Sequence, residues 1–403
     1  MSILGNSVVR REDPAFLTIG GSYVEDLTID DAAHLVYVRS IMAHGRITAI
    51  DTDEARSAPG VLGVFTATDM ADLGTAPNVL PVFPEEMRRP FVADGVVRYV
   101  GQPIVAVVAE TSEQATDAAE LVIVDYDQLP VVVDVEQAAT DEVVLFPDVG
   151  TNVLSRVSSD SQADFSDCEV VVSERIVNQR LTAAPIEPRA GAAWWTEDGR
   201  LVHYSACQGA HPTRDLLAKI YDLDTDRVRV VVPDVGGGFG AKSRTYPEEL
   251  AIGWYARAIG RPVRWTETRS ENLMAMPHGR SQVQYATIGG TRDGTITAYQ
   301  VDVFQDAGAY PIIGAVLANL THRMLTGTYE IRNVGFNATT AVTNTVSTTA
   351  YRGAGRPEAT VAIERMIDRF ADEIGLDAAE VRRRNLVPKF LEPYTTGVGT
   401  VYD

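Results

Sequence analysis

Residues 235–243 read Val-Gly-Gly-Gly-Phe-Gly-Ala-Lys-Ser, a composition that could hold a ligand by its backbone. Glycine lacks a Cβ and reaches positive φ without strain, so Gly236, Gly237, Gly238 and Gly240 would let main-chain N–H groups converge on an anion. Three readings compete. A dinucleotide fingerprint fits Gly236, Gly238 and Ala241 loosely, but about 20 residues on, where that motif wants an acid, the chain has Ala256-Arg257-Ala258. A phosphate-binding GxxxxGK[ST] loop is missed by one residue, since Ala241 stands where glycine should precede Lys242-Ser243. A glycine-rich turn holding nothing is the third, and it leaves four glycines around the lone aromatic Phe239 unexplained.

Other ligand sets are sparse. The six histidines include no HxH or HxxxH pair, so a metal site made of protein side chains is not expected. Cys168 and Cys207 lie far apart without CxxC spacing, which encodes neither a disulfide framework nor an iron–sulfur cluster.

The loop resembles the VGGGFGxK loop in the molybdopterin-binding large subunit of the xanthine dehydrogenase, aldehyde oxidase and aerobic carbon monoxide dehydrogenase family. Ser205-Ala206-Cys207-Gln208-Gly209-Ala210 and Ala350-Tyr351-Arg352-Gly353-Ala354-Gly355-Arg356-Pro357-Glu358 agree with that family in order and spacing. The resemblance implies that Gly237, Gly238, Phe239 and Gly240 contact a molybdenum–molybdopterin cofactor, with Gln208 donating to a metal oxygen and Arg352 and Gly353 beside the metal. A neutral amide orients an oxygen ligand without adding charge, and a guanidinium with five donors suits an anionic group. Arg323 corresponds, through a gap, to the arginine that steadies charge on substrate oxygen. Glu187 follows the family pattern too, and could equally be a turn carboxylate.

Departures from the pattern narrow the substrate. Where Gly353 stands, copper-containing carbon monoxide dehydrogenases carry a cysteine; glycine offers no thiolate for Cu(I). Purine enzymes place an aromatic residue at Ala354 and a glutamate at Ser243. What remains is an AYRGAGR-type branch acting on an aldehyde, an N-heteroaromatic or a carbon monoxide-type small molecule. The resemblance implies FAD on a medium subunit, [2Fe-2S] on a small subunit, and leaves the cytosine dinucleotide form of the pterin open. The resemblance places the catalytic glutamate in a C-terminal half outside this chain, so either this is a fragment of a longer chain or a second polypeptide carrying that half is expected. Two alternatives stay open: a non-catalytic scaffold, and a nucleotide-binding protein using Gly236 to Lys242.

The elements that would position these residues give an α+β class. Val228 to Val232 is a β-branched run that should feed the glycine loop as a strand, and Pro247-Glu248-Glu249 should open a helix to Arg257 after it. Upstream, residues 1–17 are expected as an extended arm and 18–133 as an α/β hammerhead domain. Its strands fall at 35–39, 61–65, 104–109 and 122–126, and its helix at 112–121 is capped by Ser112. Residues 134–168, with Pro147, Gly150 and clustered serines and aspartates, are expected as a linker. Residues 169–403 are then the first part of the molybdopterin-binding domain. It carries hairpin turns at Asp198-Gly199 and Asp293-Gly294, a strand at 346–351, and a helix from Pro357 to Ile374 striped by Ile363, Ile367 and Phe370.

With 55 acidic and 35 basic residues the net charge is −20, which speaks against nucleic-acid or anionic-membrane partners. No run of 18 apolar residues suggests membrane insertion, and Arg10-Arg11 is followed by Glu12-Asp13-Pro14 rather than by an apolar leader. A cytoplasmic location is expected.

Overall fold

The computed structural model describes residues 4–78 and 80–402. Residues 1–3 of the expected arm and Asp403 of the last expected domain lie outside the described residues. The chain runs through α1 (Asp13–Thr18), β1 (Ala33–Arg39), β2 (Gly45–Asp51), α2 (Asp53–Ser57), β3 (Val61–Phe65), β4 (Val96–Val97), β5 (Pro103–Ala109), α3 (Ser112–Glu120) and β6 (Ile123–Gln128). It continues through α4 (Val135–Ala138), β7 (Val153–Ser158), β8 (Val170–Asn178), β9 (Ala190–Trp195), β10 (Leu201–Ser205), α5 (Ala210–Ile220) and β11 (Val228–Val231). Then come α6 (Pro247–Leu250), α7 (Ile252–Ile259), β12 (Val263–Thr266), α8 (Arg269–Ala275), β13 (Gln282–Gly290), β14 (Ile296–Asp306), α9 (Ala318–Arg323) and β15 (Asn333–Ala341). The last elements are α10 (Arg356–Ile374), α11 (Ala378–Asn385), β16 (Tyr394–Thr395) and β17 (Val401–Tyr402).

The α+β class expected from the sequence is the one built. A seven-stranded sheet in the order β11-β10-β9-β12-β1-β5-β3 is the larger frame. Its strand β5 is buried at every position, as a Val/Ile/Ala run covered on both faces should be. The sheet joins early and late sequence: β1 pairs in parallel with β12 through Ala33 and Val263, and one core holds Leu35, Tyr37 and Phe91 with Leu250, Tyr255 and Trp265. A five-stranded sheet, β7-β15-β14-β13-β8, carries α10 on one face. Ile363, Met366, Ile367 and Phe370 of α10 bury against Ile288 and Val301, and Gly375 at φ 71° ends the helix in left-handed backbone.

Several local expectations change. The arm contains the short helix α1, and α3 is capped by Thr111, whose hydroxyl accepts from the Gln114 N–H at 3.2 Å, because Ser112 is already helical. Residues 134–168 are packed rather than loose: β7 is a sheet edge, and Val135, Leu145 and Phe146 join a core with Tyr310. The polar composition conceals this because buried Asn152 organises it, accepting from the Leu145 N–H at 2.9 Å and donating to the Ala138 and Val143 carbonyls at 3.0 and 2.6 Å. The helix expected from Pro247 is interrupted at Ala251 and runs to Ile259. Residues 346–351 form only a single bridge, at Thr348.

Candidate functional site

Beyond β11 the chain is tied down at Asp234, whose N–H donates to the Ser22 carbonyl at 3.0 Å and whose carboxylate accepts from the Ser22 N–H at 2.9 Å. The glycine loop then turns through left-handed backbone at Gly237 (φ 98°), Phe239 (φ 53°) and Gly240 (φ 96°). A Cβ on Gly236 would stand 2.6 Å from the Glu187 Cβ, one on Gly238 2.5 Å from Gln208 Oε1, and one on Gly240 2.7 Å from the Ala350 carbonyl oxygen. The glycines are therefore what lets three distant segments close on one loop. Phe239, 44% exposed in a conformation that bulky residues avoid, is the strained exception.

Gln208 is fixed through its backbone and its acceptor. Its N–H donates to the Lys242 carbonyl at 2.8 Å, and its Oε1 accepts from the Gly240 N–H at 2.9 Å. The exposed side-chain NH₂ is left to donate outward, with no partner among the described residues. From the other side, the Arg352 N–H donates to the Phe239 carbonyl at 2.9 Å. The Arg352 guanidinium is exposed and has no ion pair among the described residues. Arg280 braces this stretch, donating to the Tyr351 and Arg352 carbonyls at 3.1 and 2.8 Å while its guanidinium lies 4.7 Å over the Tyr351 ring. Gly353, Ala354 and Gly355 follow in left-handed backbone and bend the chain into α10.

These contacts bring Gln208, Phe239, Gly240, Arg352, Gly353 and Ala354 around one open concavity of about 350 Å³. Gly238 is buried behind Gln208, and Gly237 shapes the turn without lining the concavity. Arg323 is not brought there. It ends α9 on the surface with its carbonyl accepting from the Thr400 hydroxyl at 2.8 Å, and it is Leu317 and Leu320 that approach Gly355. The gapped match in sequence could not register where a six-residue helix would end.

Beneath the loop the polar groups are consumed. Lys242, 1% exposed, pairs with Glu187 at 2.8 Å, and the same carboxylate oxygen accepts from the Gly236 N–H at 2.8 Å. Glu187 is thus a clasp across the base of the loop. A nucleotide reading needs a lysine that reaches phosphate and N–H groups that are free to cradle it. Here Lys242 is buried and paired, and the Gly236 and Gly240 N–H groups are bonded to side chains, so the geometry removes that alternative.

Sequence reasoning took Glu248 and Glu249 for ordinary first-turn helix acids, yet both are buried. Glu248 lies 3.0, 3.3 and 3.5 Å from Arg89, Arg39 and Arg189, and Arg189 also pairs with Glu267 at 2.7 Å. Burial would raise the Glu248 carboxyl, but the three guanidiniums overcome it and hold the group well below the usual carboxylate range. Burial pushes Glu249 up to about 7, with Arg189 opposing. Nothing in the sequence marked these arginines, which come from positions far apart in the chain.

The cradle fits an anionic group held by main chain, amide and guanidinium, and no cluster of three His, Cys, Asp or Glu side chains that could hold a metal ion occurs among the described residues. No helix among them is long and apolar enough to cross a membrane. Residues 145–386 match the molybdopterin cofactor-binding domain, and residues 20–130 match the aldehyde oxidase and xanthine dehydrogenase a/b hammerhead domain. The chain is 36% identical over 413 residues to the nicotine 6-hydroxylase large subunit of Paenarthrobacter nicotinovorans, covering 100% of this chain and 50% of that protein. It is 32% identical to the carbon monoxide dehydrogenase large chain of Hydrogenophaga pseudoflava, covering 98% of this chain and 51% of that one. The crystal structure of quinoline 2-oxidoreductase from Pseudomonas putida 86 superposes with a TM-score of 0.92 at 33% identity, over 100% of this chain and 52% of that chain. The chain thus spans about half the length of these relatives. It belongs to the xanthine dehydrogenase, aldehyde oxidase and carbon monoxide dehydrogenase family of molybdopterin-binding subunits.

Proposed function

We propose that this chain supplies the N-terminal half of the large, catalytic subunit of a cytoplasmic molybdenum hydroxylase. The observation that carries the reading is the convergence of Gln208, Phe239-Gly240 and Arg352 on one concavity, with the Gln208 NH₂ and the Arg352 guanidinium unpaired among the described residues. In that reading the Gln208 NH₂ and the main-chain N–H groups of Phe239 and Gly353 hold a molybdenum–molybdopterin group, Gly240 lets the backbone come close to it, and Arg352 balances its negative charge. When bound, that cofactor supplies the redox chemistry that places a water-derived oxygen on a substrate carbon and delivers two electrons to FAD and [2Fe-2S] on partner subunits. The protein's own part is to orient and to neutralise. The general base is contributed by sequence outside this chain, and general-base loss commonly costs about 10²- to 10⁴-fold, so this half alone is nearly inactive. A second polypeptide segment carrying the C-terminal half completes the site.

An N-heteroaromatic is the favoured substrate. Gly353 offers no thiolate for copper, which weakens a carbon monoxide reaction, and the similarity to a nicotine hydroxylase and a quinoline oxidoreductase points toward ring hydroxylation. The test is turnover of N-heteroaromatics in ¹⁸O-water by the complex purified from its native host. Label in the hydroxylated product supports the reading; product oxygen drawn from O₂ overturns it.

A further inference from the structure

A second cavity, of about 260 Å³, begins at Ser243, three residues beyond Gly240 of the first concavity. We propose that it binds an organic anion, a planar ring bearing a carboxylate, and that this is the substrate class of the site; the last clause rests on the hydroxylase reading, the binding does not.

The charge of the wall carries the proposal. The chain has 55 acidic and 35 basic residues, so an arbitrary patch should hold more carboxylates than cations. This wall holds Arg89, Lys219 and Arg244 and no aspartate or glutamate. Lys219 and Arg244 are exposed and have no ion pair among the described residues. Asp215, one turn before Lys219 on α5, is engaged by Arg214 at 2.6 Å and does not neutralise it. Arg89 lies deeper, 7% exposed, with its guanidinium 5.4 Å over the Tyr99 ring and 3.0 Å from Glu248, which it shares with Arg39 and Arg189. The net positive charge therefore comes from the two cations nearer solvent, while Arg89 gives the wall a fixed plane of donors. Unpaired cations around a concave wall in an otherwise acidic protein focus a local positive potential. Pro77, Leu216 and Tyr310 supply the apolar surface that a ring would cover, and the cavity volume suits a ligand of one or two rings.

The probe is benzoate, compared with its neutral counterpart benzamide, in equilibrium dialysis against the complex purified from its native host. Benzoate is expected to bind about tenfold or more tightly than benzamide, and to weaken as salt rises. Lys219→Gln combined with Arg244→Gln, both on exposed side chains, should remove about tenfold of benzoate affinity and leave benzamide unchanged. Arg352→Gln, in the other concavity, should leave benzoate binding unaltered. Equal affinity for the two probes, or indifference to the double substitution, overturns the proposal. If benzoate fails to bind a complex that contains molybdenum and pterin, the anion assignment falls and the hydroxylase reading stands. If benzoate binds as expected but molybdenum and pterin are absent, the hydroxylase reading falls and the cavity remains an anion site.

Discussion

The two faces of the loop at 236–243 are built on opposite rules. On its outer face the Gln208 side-chain NH₂ and the Arg352 guanidinium stand open with no protein partner among the described residues. On its inner side Lys242 is closed on Glu187, and a few residues further on Glu248 is closed on three arginines. An unpaired cation or amide is cheap only where water or a ligand reaches it, which is the condition that a binding face must meet. The closed side is structural: its charges are buried, and each fails expensively if its partner is removed. Stability and binding should therefore separate cleanly between substitutions on the two sides.

The largest expected effect is on the closed side. Glu248→Gln leaves Arg39, Arg89 and Arg189 without their shared carboxylate, and should cost about 3–5 kcal/mol in urea unfolding. A cost below about 1 kcal/mol would mean that the cluster is not a closed unit. Next comes pH, where two buried groups act with opposite sign. Burial lowers His203 from 6.5 to about 4, so its contribution is present above pH 6.5 and is lost as pH falls toward 4, by about 3 kcal/mol. Glu249 is raised from 4.5 to about 7, so its contribution is present below pH 4.5 and is lost as pH rises through 7, by a similar amount of about 3 kcal/mol. Between pH 4.5 and 6.5 the two slopes are equal and opposite, so their sum should be nearly flat there and fall by less than about 1 kcal/mol outside. Both His203 ring nitrogens are buried without partners among the described residues, so His203→Leu should remove the compensating slope and leave stability falling by about 3 kcal/mol from pH 4.5 to 7, as a pH series of denaturant midpoints would show.

Smaller again is Gly240→Ala. Its Cβ would meet the Ala350 carbonyl at 2.7 Å in left-handed backbone, and about 1–3 kcal/mol is expected. Gly74→Ala, left-handed as well but with nothing within 4 Å, isolates the backbone share, about 1 kcal/mol by the same thermal or denaturant scan. Arg352→Gln, on the open face, should change stability by less than about 0.5 kcal/mol and act only on what the concavity holds.

The same division sets what the sequence could show. The open face is built from contiguous stretches, 205–210, 235–242 and 350–358, whose residue types and order are visible along the chain. The α10 stripe and the Asp-Gly hairpins were legible for a similar reason, since period and turn chemistry are local. The closed side was not. Arg39, Arg89, Arg189 and Glu267 become neighbours only because β1 lies beside β12 and β12 beside β9 in a sheet shared by early and late sequence. Residues 134–168 looked like a linker because the side chain that orders them, Asn152, is of a type that turns also favour. Arg323 was misplaced because its match depended on the length of an unrecognised helix.

The proposed role of the open face is to hold a cofactor, and the direct measurement is molybdenum and pterin per polypeptide in the complex purified from its native host. The expected result is near-stoichiometric molybdenum, with pterin fluorescence after oxidation and iron on co-purifying subunits; Arg352→Gln should lower molybdenum and pterin together and leave the fold and the iron unchanged. A native complex that contains neither molybdenum nor pterin would contradict the assignment and leave the chain as a folded scaffold.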